Sequence, residues 1–159
     1  MAAPIAGGTP RLIMKEPDIN NIACAQSPSL LCILNIFLGE SNLFYLFDLQ
    51  HGKGRLVAKL FSFADWGLSP DSSMMVLHTS ATEGRLRLVS MQSGSVREVV
   101  LKNWPMLKGV DWSADSKMVF IGGVTPNNVP VVLGVELIVL LYLMVGGTPS
   151  HSHCSGTTF

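Results

Sequence analysis

A chain of 159 residues is long enough for one domain with a real core, but short for two. Its 11 Lys and Arg balance 11 Asp and Glu, and only 14% of residues are charged against 48% hydrophobic. That balance argues against an electrostatic nucleic-acid binder, which needs clustered cations to displace counterions from phosphate.

The opening stretch "MAAPIAGGTPRLIMKEP" lacks a continuous apolar core, so no secretory signal is read there and a cytoplasmic location is the default expectation. Residues 1–21 are expected to be irregular. A first repeat unit, about 22–60, begins with "CAQSPSLLCILNIF", where Ser27-Pro28 precedes a later Ser69-Pro70 by 42 residues. Ser29 stands there in place of an Asp. Cys24 and Cys32 flank this phrase; they are expected to pack as small buried hydrophobes, with pairing reserved for an oxidising compartment. Three cysteines in all, Cys154 included, do not make a disulfide scaffold. "FYLFDLQHGKGRLVAKL" (44–60) then reads as strand, turn and strand, with Gly52 free to take a positive φ at the corner and His51 solvated.

The second unit, about 61–103, holds the clearest signal. "GLSPDSSMMVL" (67–77) is echoed by "DWSADSKMVFI" (111–121), with Ser69 and Ser113, Asp71 and Asp115, and Ser72 and Ser116 each 44 residues apart. A first strand runs into Ser69-Pro70-Asp71, a second covers about Met74–Thr79, a third Arg85–Met91 and a fourth Val96–Leu101. In the third strand Leu86 and Leu88 alternate with Arg85 and Arg87, so one face is buried and the other wet. The Asp of each turn accepts backbone N–H groups two residues on, which makes Asp71 and Asp115 turn residues rather than catalytic acids. Trp66, Trp104 and Trp112 lie at or before first strands, where large apolar rings wedge between neighbouring sheets.

The third unit, about 104–145, keeps the phase at "VPVVLGVEL" but has no turn residue at 136–139. Val129 to Val145 is a run of 17 residues interrupted by Pro130, Gly134 and Glu136. Three readings stay open: a divergent hairpin, a membrane helix disfavoured by Glu136 and by its length, and a non-native end. Residues 146–159 have the composition of an unstructured tail. "HSHC" places His151, His153 and Cys154 together without the second ligand pair that structural zinc uses.

Four strands at a period of about 40–45 residues are the signature of a propeller blade. The expected fold is therefore all-β: a partial β-propeller of about three four-stranded antiparallel blades, the last divergent. The phrases Ser69-Pro70-Asp71-Ser72 and Ser113-Ala114-Asp115-Ser116 resemble the Ser-Pro-Asp-Gly phrase of TolB-type, WD-like propeller repeats, with Ser at the usual Gly position. More narrowly, Asp65–Gly122 is similar to the C-terminal propellers of bacterial winged-helix or serine/threonine-kinase regulators. That resemblance implies a sensory or protein-interaction module and no catalysis. Neither partner domain is visible: there is no kinase loop signature, no basic recognition helix and no Gly-x-Ser-x-Gly elbow.

No cofactor, metal or catalytic residue is expected, and a membrane role is disfavoured. The candidate contact residues are Phe63, Asp65, Trp104 and Lys108, on rim loops 61–65 and 102–108. Because propellers close with 4–8 blades, a chain of about three would associate with a protein partner or with itself through its open sheet edge. The alternative is the accessory propeller of a kinase, transcription regulator or prolyl-type peptidase whose other part is absent from this chain.

Overall fold

Each turn phrase is followed by a strand whose side chains alternate between two faces, and this divides the computed structural model into three antiparallel sheets. The structure describes residues 9, 12–61, 64–79, 84–102, 104 and 106–137. Blade 1 contains β1 (Ile19–Cys24), β2 (Cys32–Leu38), β3 (Ser41–Asp48) and β4 (Gly52–Phe61). Blade 2 contains β5 (Ala64–Leu68), β6 (Met74–Thr79), β7 (Arg85–Ser90) and β8 (Val96–Val100). Blade 3 contains β9 (Met106–Trp112), β10 (Met118–Val124) and β11 (Pro130–Glu136). Strands follow one another in sequence order within every sheet, each antiparallel to its neighbour. This is the meander of a propeller blade, and the chain is an all-β partial propeller.

Alternation decides which face each strand buries. Leu86 and Leu88 are fully buried in β7, while Arg85 and Arg87 point outward to Glu98 on the adjoining β8. The corners at Gly52 and Gly94 take φ of +80° and +72°, as the hairpin reading requires.

The blades stack through two apolar layers. Ile33, Phe44 and Leu60 of blade 1 meet Leu68, Met75, Leu77 and Val89 of blade 2. Val76, Leu86, Leu88 and Val99 of blade 2 meet Leu107, Val110, Trp112, Val119 and Ile121 of blade 3. The tryptophans do wedge between sheets. Trp112 is buried and donates from Nε1 to the Gly67 carbonyl at 3.0 Å, and Trp66 packs edge-on against Phe44 with ring centres 5.5 Å apart.

Two features differ from the expectations. β1 begins at Ile19, ahead of residue 22, because Ile19–Cys24 lies antiparallel on β2. Cys24 and Cys32 do not pack as free thiols: they form a disulfide. The physical reason is register. The two cysteines are direct cross-strand partners on either side of the first turn, which brings their side chains together.

In the third unit, residues 130–136 of the long apolar run form β11, and Leu137 N–H bonds the Lys117 carbonyl at 2.8 Å. Among the described residues no helix is long and apolar enough to cross a membrane. The expected fourth strand and the tail fall on residues outside those described.

The Cys24–Cys32 bond closes a short loop, which constrains the unfolded chain by roughly 2–3 kcal/mol. Dithiothreitol is therefore expected to lower the urea midpoint of unfolding. A Cys24→Ser/Cys32→Ser chain should start at that lower midpoint and not respond to the reductant.

Candidate functional site

The repeated serine and aspartate build one hydrogen-bonded unit in two blades. The Ser69 hydroxyl, completely buried, donates to Asp71 Oδ1 at 2.6 Å and accepts from Met74 N–H at 2.9 Å. Asp71 Oδ1 also accepts from Ser73 N–H at 3.0 Å. In blade 3 the Ser113 hydroxyl donates to Asp115 Oδ1 at 2.6 Å and accepts from Met118 N–H at 2.9 Å, and Lys117 N–H reaches Asp115 at 3.1 Å. Blade 1 runs a reduced version, with Ser29 Oγ accepting from Leu31 N–H at 3.2 Å.

These turns also join blade to blade. Gln26 N–H bonds the Pro70 carbonyl at 3.1 Å, and Asp71 N–H bonds Ser116 Oγ at 3.0 Å. Turns of all three blades thus line one open cleft of about 530 Å³, including Gln26, Ser29, Pro70, Asp71, Asp115 and Ser116. Burial pushes the Asp71 carboxyl up, but bonds from Ser69, Ser73 and Ser116 outweigh it and hold the group below the usual carboxylate range. The Ser113 hydroxyl, then Lys117 N–H, hold Asp115 low as well. Both carboxylates are engaged with their own turns, as the turn-residue reading requires.

The rim at the other end of β5 carries the candidate contact residues. Asp65 and His78 are cross-strand partners in blade 2, and both reach β9 of blade 3. Asp65 Oδ2 accepts from Gly109 N–H at 3.0 Å, and His78 Nε2 lies 3.0 Å from the Leu107 carbonyl oxygen. His78 is buried, with Nδ1 3.2 Å from the Arg85 carbonyl oxygen, so its ring is held inside the fold between two carbonyl oxygens. Lys108 is exposed at the bulge where β9 shifts register on β10, next to Gly109 at φ +70°. Trp104 is half-buried against the core between blades 2 and 3. The structure thus brings Asp65 to the strand carrying Lys108, uses Asp65 in an interblade clasp and spends much of Trp104 on packing. Phe63 lies outside the described residues.

Sequence reasoning missed one polar chain. Asn20 Nδ2 donates to Asn35 Oδ1 at 2.7 Å, and Asn35 Nδ2 donates to Asn42 Oδ1 at 3.2 Å, with Asn35 and Asn42 buried. The available signal was an asparagine in the middle of the apolar strand "CILNIFL". Among the described residues no three His, Cys, Asp or Glu side chains gather to hold a metal ion. His151, His153 and Cys154 lie outside them.

Stacked antiparallel meanders, two of four strands and one of three among the described residues, define with their repeated turns a partial β-propeller, and solved structures agree on that fold. TolB from Acinetobacter baumannii matches with a TM-score of 0.64 and 15% identity, over 85% of this chain and 34% of that one. An uncharacterised protein from Listeria monocytogenes matches at 0.58 and 11% identity, over 79% of this chain and 40% of that one. Hydrazine synthase from Kuenenia stuttgartiensis matches at 0.55 and 12% identity, over 82% and 36%. The chain therefore spans little more than a third of the length of these structures. No family model matches the sequence, and no curated protein does.

Ser72 and Ser116 hold φ of +61° and +60°, the left-handed region where glycine is unstrained. Ser72→Gly is expected to stabilise the chain by about 1 kcal/mol in urea unfolding. Ser116→Gly should gain less, because it also deletes the hydroxyl that accepts from Asp71 N–H.

Acid acts on the same turns. Asp71 titrates lower folded than unfolded, so its contribution to stability is complete above about pH 4 and is lost as pH falls through the depressed folded value. Asp71→Asn should be less stable at neutral pH and lose less stability on acidification than the parent chain, as read by unfolding midpoints between neutral and strongly acidic pH.

Proposed function

We propose that this chain is a non-catalytic β-propeller segment that works by protein contact through its third blade. One observation carries the reading: β11 is the terminal strand of its sheet among the described residues, and the outward face of that sheet exposes Met106, Phe120 and Val132 among the charged Lys108, Asp111 and Glu136. An unpaired strand edge beside an apolar face is a site for another polypeptide. The polar groups point the same way. The carboxylates of Asp71 and Asp115 and the hydroxyls of Ser69 and Ser113 serve their own turns, and the His78 ring is enclosed between two carbonyl oxygens of the fold.

A second reading, an accessory propeller within a larger assembly, is favoured by the chain's spanning 34% to 40% of the structures it matches. The kinase, regulator and peptidase contexts all belong to this reading. The Cys24–Cys32 bond favours an oxidising compartment over the cytoplasm expected from the N-terminal sequence.

Hydrogen exchange on the dilute full chain tests the first reading. Amides of β11 that face away from β10 should exchange far faster than those of β7, which is paired on both sides. No turnover of ester or acyl-peptide substrates should accompany them. Slow exchange along all of β11, or turnover abolished by Asp71→Asn, would overturn it.

A further inference from the structure

The two ends of the arc are finished differently. On blade 1, the face turned away from blade 2 carries Cys32, Leu34, Ile36 and Phe47, all buried. Ile13 and Met14 lie across it, and the strap is pinned where Glu16 pairs with Lys53, whose ammonium sits 5.1 Å from the Tyr45 ring centre. The surface on which a preceding blade would stack is thus already occupied by the chain's own residues 13–16.

Blade 3 has no such strap among the described residues. Its outward face presents Met106, Phe120 and Val132, with Val132 74% exposed. Registers place Val132 and Lys108 on either side of Gly122, and Asp111 beside Phe120. Lys108 and Asp111 are both exposed on β9, so one edge of the apolar face carries a cation and an anion in sequence along the strand. A two-fold axis lying in the interface and across the strands reverses that order on the facing copy, which sets each Lys108 against Asp111 of the second copy. The β9 edge of the face is complementary to itself in charge, Glu136 beside Met118 being a third charge at the far end of β11, and the face continues the stacking by which blades 1, 2 and 3 already pack.

We infer that blade 3 docks face to face on blade 3 of a second copy, giving a closed two-fold dimer. This rests on the reading of the chain as a protein-contact module and names its partner. Because blade 1 is strapped, head-to-tail addition is blocked, so copies neither complete a ring nor grow into a filament.

The test is sedimentation velocity of the full chain over a wide concentration range. A monomer–dimer equilibrium is expected, with no larger species. Val132→Arg places a charge among the exposed apolar side chains of the face and should raise the dissociation constant at least about tenfold. Lys108→Asp should weaken the dimer, and Lys108→Asp/Asp111→Lys should restore it, a rescue that loss of folding cannot mimic. Far-UV circular dichroism confirms that each variant remains folded. Polymers that lengthen with concentration overturn the proposal, as does a dimer that Ile13→Asp dissolves and Val132→Arg does not. A monomer at all concentrations overturns it too, the face then being covered by the chain's own residues 138–159 or left for a different protein. In that last case fast exchange in β11 keeps the protein-contact reading standing.

Discussion

The buried hydroxyl of Ser69 sits between a carboxylate and a main-chain amide, and the arrangement of the blades depends on that position. It donates to Asp71 and accepts from Met74, so it fixes the angle at which β5 turns into β6. With the turn fixed, the Asp71 amide is aimed outward at Ser116 of the next blade. A local turn and a long-range contact thus share one residue. Ser113 repeats the local half in blade 3 with the same distances to its carboxylate and its amide.

The opposite rim is held by other chemistry. There Asp65 and His78, paired across β5 and β6, grip the bulged β9 at Gly109 and Leu107. The bulge requires Gly122 on β10, since a side chain there would collide with the Lys108 carbonyl. Between the rims lie the apolar layers, which supply most of the cohesion but little direction. Apolar area holds the blades together, and the polar contacts at the two rims set how far each blade is rotated on the next.

Much of this was legible in the sequence because it is written twice. The spacing of Ser69 and Ser113 placed the turns, and β6 occupies the Met74–Thr79 assigned to it. Alternation in Arg85–Ser90 placed the buried face of β7. What resisted reading depends on register or on single-copy segments. The pairing of Cys24 with Cys32 follows from how β1 lies on β2, which spacing alone leaves open. The Ile13–Met14 strap occurs once and has no periodicity to announce it. Asp65 and Lys108 were singled out as loop contacts, but only the fold shows that one clasps the bulge beside which the other projects.

The first turn lacks the aspartate of the other two, and across it runs the Cys24–Cys32 bond. Blades 2 and 3 therefore have turn fastenings that a proton can undo, whereas blade 1 has one that a reductant can undo. The arc is vulnerable to two unrelated stresses in different blades. Acid loosens the turns of the second and third, and a thiol the first.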